Sequence, residues 1–197
     1  MGFLLNHTTF QVLSRDVIDS CEPFTCGNAD LDDFFLRDAV LYSESLLGKS
    51  YCYLSRKAQT EIVCAFTVSN DSLRVDMLPN SRKKKVNSTI PYSKQMRRYP
   101  AVLIGRLGVN IKYARRNIGT ELLSLIKQWF IERENKTGCR YLVVDAYNEK
   151  SVLDFYCTKN GFRPLFSTEE QEAEALHQQL PLSTRYLFFD LINISQS

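Results

Sequence analysis

Val109-Asn110-Ile111-Lys112-Tyr113-Ala114-Arg115-Arg116-Asn117-Ile118-Gly119-Thr120 is the stretch on which the reading of this chain turns. Before it, the apolar run Ala101–Val109 predicts a long buried strand. After it, Leu122, Leu123, Ile126, Trp129 and Phe130 recur at three- and four-residue steps, which predicts a helix over Ile118–Glu132 with those side chains turned inward. Where a strand leads through a turn into a helix, the N–H groups of the first helical turn point outward and the helix dipole favours an anion. Arg115 and Arg116 add two cations, Asn117 tolerates left-handed backbone, and Gly119 lets a ligand approach the main chain closely. The turn suits a pyrophosphate. An ordinary exposed turn with a solvated arginine pair has the same local sequence, so the rest of the chain must decide.

Working outward, Leu31, Phe34, Phe35, Ala39, Tyr42 and Leu46 predict an amphipathic helix, capped at Asn28 or Asp30 and ending at Gly48. Tyr51–Ser55 and Ile62–Ser69 read as a hairpin. Residues 70–99 form a polar, basic excursion with Pro79 and Pro91, a functional loop or short helix. Beyond the quoted stretch, Arg140–Ala146 is an apolar strand. Asn148 is placed to cap a helix with Val152, Phe155 and Tyr156 facing the core, which Gly161 ends before a short strand, Phe162–Leu165. The polar segment EEQEAEALHQQ precedes a closing strand at Arg185–Leu191. The expected class is α/β (α+β), a mixed and mostly antiparallel sheet flanked by helices. With 197 residues, 44% hydrophobic and 12% aromatic, one domain over 1–197 is expected, with a basic insert at about 79–99. Disorder as the main state is excluded.

Composition removes other classes. The six cysteines (21, 26, 52, 64, 139 and 157) contain a single short pair, Cys21 and Cys26, with only His7 and His177 to supplement it. Reduced, mostly buried thiols are expected, and no metal site. Gly48-Lys49-Ser50 resembles the end of a phosphate loop, but Ser43 stands where its first glycine belongs and a helix precedes it. There is no G-x-S-x-G elbow, and His7 and His177 lie in the terminal portions, which leaves a Ser-His or Cys-His nucleophile little to work with. A dinucleotide fingerprint is missing, because Gly105 and Gly108 lie inside the strand. The opening MGFLLNHTTF lacks the basic region and cleavage site of a signal peptide, and no apolar run approaches a membrane span. A cytoplasmic protein without membrane association is expected.

Residues 114–119 (ARRNIG) resemble the acetyl-CoA loop Q/R-x-x-G-x-G/A that follows the long fourth strand of GNAT N-acetyltransferases, with Ala114 in place of the leading Gln and Asn117 in place of the first glycine. Two more segments agree. Asp145-Ala146-Tyr147-Asn148 followed by Phe155–Phe162 (FYCTKNGF) is similar to that family's fifth strand, fourth helix and FYxKxGF ending. Phe24–Phe35 (FTCGNADLDDFF) resembles the opening F-x-C/S-G-x-x-x-L-D-x-F/W-L of GNAT toxins from type II toxin-antitoxin systems. Leu103–Asn110 (LIGRLGVN) is similar to their LLGRLAVD strand, with Gly108 for Ala and Asn110 for Asp.

The resemblance implies a GNAT fold, splayed near Val109, with acetyl-CoA as co-substrate in the cleft between the fourth and fifth strands. Leu107, Gly108 and Val109 would pair with the pantetheine arm, and Arg115, Arg116, Asn117, Ile118, Gly119 and Thr120 would hold the pyrophosphate. Asn148 and Ser151 would border the cofactor, and Tyr156 would take the place of the tyrosine that faces the leaving thiolate. It also implies transfer of acetyl to the α-amine of aminoacyl-tRNA. A protein or small-molecule amine, or a non-catalytic RNA- or protein-binding module on the same scaffold, are the alternatives.

Elementary chemistry bears on the acceptor. Attack on a thioester needs an uncharged amine. A lysine amine, with a pKa of about 10.4, needs a base, whereas an α-amine near 7.7–8.0 is largely neutral unaided. The strand Leu103–Asn110 carries no carboxylate, which favours the α-amine; Glu61, Asp71 and Asp76 are the carboxylates that could reach in from elsewhere. A phenol near 10 does not transfer its proton completely to a thiolate near 8.5, so hydrogen bonding is the role expected of Tyr156.

Formal charge is +3, from 25 cations and 22 anions, but seven of the cations fall within 82–98 (RKKKVNSTIPYSKQMRR), which has no carboxylate. Arg82, Lys83, Lys84, Lys85, Arg97 and Arg98, with Tyr92 and Tyr99 nearby, are candidates to bind tRNA phosphates. The same run would serve to dock an acidic antitoxin, or stand solvated with no partner. A homodimer is a further candidate assembly.

Overall fold

The structure, a computed structural model, describes residues 2–88, 90 and 96–195. A short helix α1 (Phe3–His7) runs directly into strand β1 (Thr8–Val12), and Ser14 caps α2 (Arg15–Ser20) by accepting from Val17 N. Asn28 caps α3 (Ala29–Asp33) through Asp30 N and Leu31 N. The single helix expected here is interrupted: a wide π-helical turn, Phe34–Asp38, separates α3 from α4 (Ala39–Glu44). Apolar residues spaced by three and four do not distinguish a regular turn from a widened one. The hairpin follows as β2 (Lys49–Ser55) and β3 (Ile62–Arg74). Ile62–Val68 is buried at every position, so this part of β3 is covered on both faces and its sequence is apolar except for Thr67, whose hydroxyl is hydrogen-bonded to that of Ser50.

The basic excursion contains helix α5 (Asn80–Asn87) before the long strand β4 (Arg98–Val109). A 3₁₀ turn, Ile111–Tyr113, leads to α6 (Ile118–Ile131). In α6, Ile118, Leu122, Leu123 and Ile126 are buried, whereas Trp129 and Phe130, expected inside, are only half-buried. Then come β5 (Tyr141–Tyr147), α7 (Lys150–Leu153), a second π-helical turn (Asp154–Lys159), β6 (Arg163–Pro164), α8 (Glu169–Leu176), β7 (Thr184–Asp190) and α9 (Ile192–Ser195). The EEQEAEAL part of the polar EEQEAEALHQQ segment is thus helical, and His177 ends it in the left-handed region. Three acidic residues in the first turn of α8 suit its dipole, and the Thr168 hydroxyl caps it.

Hydrogen-bonded neighbours run β1-β2-β3-β4-β5-β7-β6, a seven-stranded mixed and mostly antiparallel sheet with helices. β4 and β5 are parallel, and their register runs from Ala101↔Tyr141 to Leu103↔Val143, well before Val109, where the splay was expected.

The chain forms two compact units. One joins the residues up to Asn70 to Ile104–Ile126, and the other joins Asp71–Leu103 to the residues from Lys127 onward. The first is built on Leu13, Phe24, Phe35, Ala39, Cys52, Ile62 and Ala65. The second packs Leu73, Val75, Tyr99, Tyr141, Val143, Phe166 and Phe188 together. In the second, the buried Glu172 carboxylate accepts from Arg185 Nε at 2.7 Å and Tyr186 N at 2.5 Å, so the charge is not left unpaired. All six cysteines are free thiols. Only Cys52 and Cys64 are buried; the other four are partly exposed, where mostly buried thiols were expected. Among the described residues no helix is long and apolar enough to cross a membrane, and no cluster of three metal-ligating side chains occurs.

Candidate active site

In the first unit, the end of β4 is fastened from below. The buried Asn110 donates from its main-chain N to Val63 O at 2.9 Å and from Nδ2 to Ile62 O at 3.0 Å. Its Oδ1 accepts from Lys112 N at 3.0 Å and starts the 3₁₀ turn. An aspartate could not donate to Ile62 O, which is the physical reason for Asn110 in a strand that otherwise resembles LLGRLAVD. Gly108 has a packing reason too: a Cβ there would lie 3.2 Å from Cys26 Cβ and Sγ and from Phe24 Cζ. The opening motif that supplies Phe24 and Cys26 is held by Asp32, whose carboxylate accepts from Thr25 Oγ1 and Cys26 N, each at 2.7 Å. Thr25 O in turn accepts from Ile111 N at 3.0 Å, which attaches the motif to the turn after β4.

Arg115 and Asn117 both adopt φ 61°, the left-handed region. At a residue such as Arg115 that conformation costs about 1–3 kcal/mol and persists only where its surroundings fix it, whereas an asparagine takes it at less cost. Left-handed residues in a turn aim successive N–H groups into a concave row suited to an anion. Asn117 O accepts from Glu121 N at 3.1 Å, so Asn117 opens α6, and Ile118, Gly119 and Thr120 form its first turn. Arg115, Arg116 and Asn117 are exposed. Glu121 also accepts from Leu4 N at 2.8 Å, fixing α1 beside the start of α6.

Two residues of this turn reach far along the sequence. Lys112 Nζ lies 2.7 Å from both Glu22 Oε2 and Glu61 Oε1, and the Tyr113 hydroxyl donates to Glu61 Oε2 at 2.7 Å. These hydrogen bonds hold the Glu61 carboxyl below its ordinary range and raise Lys112 above its own. Glu61, one of the three carboxylates considered as a base, is therefore engaged by a cation. Asp76 is engaged likewise, by Arg74 at 3.3 Å. Asp71 accepts instead from the Tyr186 hydroxyl at 3.4 Å, and burial, then the Asp71 charge, pushes that phenol up.

In the second unit Tyr156 sits on the π-helical turn Asp154–Lys159, its ring edge-on to Phe155 at 5.0 Å and to Phe162 at 5.4 Å. Its O accepts from Phe162 N at 3.0 Å, while its hydroxyl has no hydrogen-bond partner among the described residues. Burial pushes the phenol up to about 12. Val152, Phe155 and Tyr156, expected to face the core, are half-buried. The far end of the turn is tied by Asn160, which donates from Nδ2 to Phe155 O at 2.7 Å and accepts at its main-chain oxygen from Lys127 Nζ at 2.6 Å. Asn148 does not cap α7, whose N-cap is Glu149. It donates instead from N to Ser183 O and from Nδ2 to Leu182 O, both at 2.9 Å, so its amide anchors the chain before β7. Ser151 is exposed in the first turn of α7.

No family model matches the sequence. Among solved structures, a tyrosine-to-phenylalanine mutant of KacT matches with TM-score 0.70 and 20% identity, over 97% of this chain and 99% of that one. AtaT complexed with acetyl-methionyl-tRNAfMet matches with TM-score 0.70 and 18% identity, over 96% of this chain and 98% of that one. AtaTR bound with acetyl-CoA matches at 0.68 and 19%, over 97% and 98%. The chain has the GNAT fold of these toxins.

On this GNAT fold the basic segment is divided. Arg82 is turned inward: its Nε donates to Leu165 O at 2.9 Å and its Nη2 to Pro164 O, so two of its nitrogens are engaged by the main chain at and just after β6. Tyr99, considered as an aromatic partner for RNA, is buried and donates to Asn87 Oδ1 at 2.9 Å. Lys83 is half-buried, while Lys84, Lys85, Arg97 and Arg98 are exposed. Tyr92 lies outside the described residues. Sequence reasoning passed over Lys112, Tyr113, Lys127 and Asn160; the partners of Lys112 and Tyr113 lie 51 or more residues away, and no local pattern marks them.

Proposed function

We propose that this chain is an acetyl-CoA-dependent N-acetyltransferase whose acceptor is the α-amine of aminoacyl-tRNA. The observation that carries the reading is the pair of left-handed residues, Arg115 and Asn117, at the turn that opens α6. A chain tolerates that cost where a concave row of N–H donors has a use, and a pyrophosphate fits it. Arg115, Arg116, Asn117, Ile118, Gly119 and Thr120 hold the pyrophosphate, and the Leu107–Val109 main chain pairs with pantetheine. Asn148, with its amide already engaged, and Ser151 are the residues that the resemblance assigns to the border of the cofactor.

The neutral amine attacks the thioester carbonyl carbon, a C–N bond forms, the C–S bond breaks, and the amine proton passes to solvent. Tyr156 donates a hydrogen bond to the departing thiolate. With the phenol at about 12 and a thiol near 8.5, complete proton transfer is uphill by about 5 kcal/mol, so the proton stays on the tyrosine. Lys84, Lys85, Arg97 and Arg98 contact tRNA phosphates, and the cytoplasm, where aminoacyl-tRNA occurs, is the matching compartment. The resemblance to AtaT, known complexed with acetyl-methionyl-tRNAfMet, supports this acceptor. An acidic antitoxin would meet the same basic face.

Calorimetry with acetyl-CoA on the wild type and Gly119→Glu tests the site, and labelled acetyl transfer to methionyl-tRNA, a peptide and a polyamine tests the acceptor. Binding to the wild type, lost with the added anion, and transfer to the tRNA are expected. Equal affinity in a folded Gly119→Glu protein discards the assigned turn, and transfer confined to the peptide or polyamine replaces the acceptor.

A further inference from the structure

The turn after β4 has a left-handed geometry at Arg115 and Asn117 but a glycine at neither position. Something outside the turn must hold it. The side chains between Ile111 and Asn117 that reach distant carboxylates are Lys112 and Tyr113, and both reach Glu61, one on each carboxylate oxygen at 2.7 Å. Glu61 is itself fixed: its N donates to Ala58 O at 2.9 Å and its O accepts from Ser55 N at 3.0 Å, at the closed end of the β2–β3 hairpin. Tyr113 also carries the next cation, since Arg116 Cζ lies 5.6 Å from the centroid of its ring. Phe3 packs on the same ring at 5.8 Å.

We propose that Glu61 is a positioning residue for the cofactor: by holding Lys112 and Tyr113 on its two oxygens it keeps the 111–117 turn in the left-handed form that receives a pyrophosphate. This rests on the reading of the turn given under Proposed function. A glycine adopts φ near 60° without steric cost; here a carboxylate clasp takes over that task. Arg116 is oriented by the same device through the Tyr113 ring. The carboxylate touches neither cofactor nor acceptor, and acts through the turn.

The test is acetyl-CoA affinity by calorimetry, with melting temperature alongside, for the wild type, Glu61→Gln, Glu61→Ala, Asn117→Gly and the double variant Glu61→Ala/Asn117→Gly. Glu61→Ala should weaken acetyl-CoA by about tenfold or more, and Glu61→Gln, which keeps an acceptor for Tyr113, should lose less. Asn117→Gly should recover part of the loss in the Glu61→Ala background, because it removes the cost at one of the two left-handed positions and leaves that at Arg115. Tyr113→Phe removes one arm by deleting a single hydroxyl and should reproduce part of the loss if Glu61→Ala fails to fold. Unchanged affinity in Glu61→Ala, or in Tyr113→Phe where Glu61→Ala does not fold, overturns the proposal, as does a melting-temperature drop alone. An Asn117→Gly effect identical with and without Glu61 overturns it as well. A wild type that binds no acetyl-CoA overturns the functional reading and this inference together, whereas binding indifferent to Glu61 overturns the inference alone.

Discussion

Lys127 Nζ donates to Asn160 O at 2.6 Å, and the same ammonium stands 3.8 Å from the centroid of the Phe189 ring and 5.3 Å from that of Phe162. No carboxylate is paired with it among the described residues, and burial pulls the lysine down to about 8. A lysine lowered in the folded state means that the unfolded chain binds more protons between about pH 8 and the ordinary lysine value near 10.4, so stability contributed by this site rises with pH through that window. The melting temperature of the wild type minus that of Lys127→Met should therefore grow from pH 7.5 to pH 10. A flat difference would place the lysine at its ordinary value.

Tyr156 should behave as a donor that never ionises under assay conditions. Tyr156→Phe is expected to lower kcat by about 10²–10⁴-fold if its hydroxyl assists departure of the thiolate, with the KM for acetyl-CoA nearly intact. Because burial holds the phenol at about 12, the wild-type pH–rate profile should have no alkaline limb below pH 11 from this residue. An alkaline limb near 10 that disappears in the phenylalanine variant would show an ordinary, exposed phenol, and equal kcat would leave Tyr156 a packing residue.

Asn110→Asp restores the residue of the LLGRLAVD pattern and should nonetheless destabilise this chain. The substitution removes the Nδ2 donor from Ile62 O and places a carboxylate in a buried position. A loss of about 1–3 kcal/mol in urea unfolding is expected for the unsatisfied buried group. Stability equal to the wild type would mean that the neighbouring main chain supplies another donor.

The cations of the basic segment should separate by experiment. Arg82→Ser removes donors from Pro164 O and Leu165 O and is expected to cost about 1–3 kcal/mol of stability. Replacing Lys84, Lys85, Arg97 and Arg98 together by serine should leave the melting temperature near the wild-type value. That variant should also flatten the salt dependence of tRNA binding by up to about 0.7–0.9 in log–log slope for each phosphate that a cation no longer neutralises. An unchanged slope and KM for aminoacyl-tRNA would remove the segment from the acceptor site.

Much of the fold is legible because its signals are local. Apolar spacing marks β4, α6 and β5, and the run Phe155–Phe162 marks the element that carries Tyr156. The turn from Arg115 to Thr120 could be picked out as the proposed anion site from residue types alone, since two cations, an asparagine and a glycine at a strand-to-helix junction act over a few residues of chain. The widened turns at Phe34–Asp38 and Asp154–Lys159 were not legible, because the extra residue in a π-helical turn leaves the apolar spacing nearly unchanged.

What the sequence by itself determined is the order of the elements, the basic character of 82–98 and the junction of a strand, a cationic turn and a helix start at Arg115–Thr120. Tertiary structure alone decided which polar side chains remain available. Arg82 and Lys84 look alike in the sequence, yet Arg82 meets two carbonyls about eighty residues away while Lys84 stays exposed. Asn148 reads as a helix cap, and its amide goes instead to Leu182 O. Glu61 reads as a stray carboxylate, and it closes on Lys112 and Tyr113. The physical reason is the same in each case. Periodicity and capping depend on neighbours within one or two turns of chain, whereas a hydrogen bond is made to whatever group folding brings within about 3 Å, however distant in sequence.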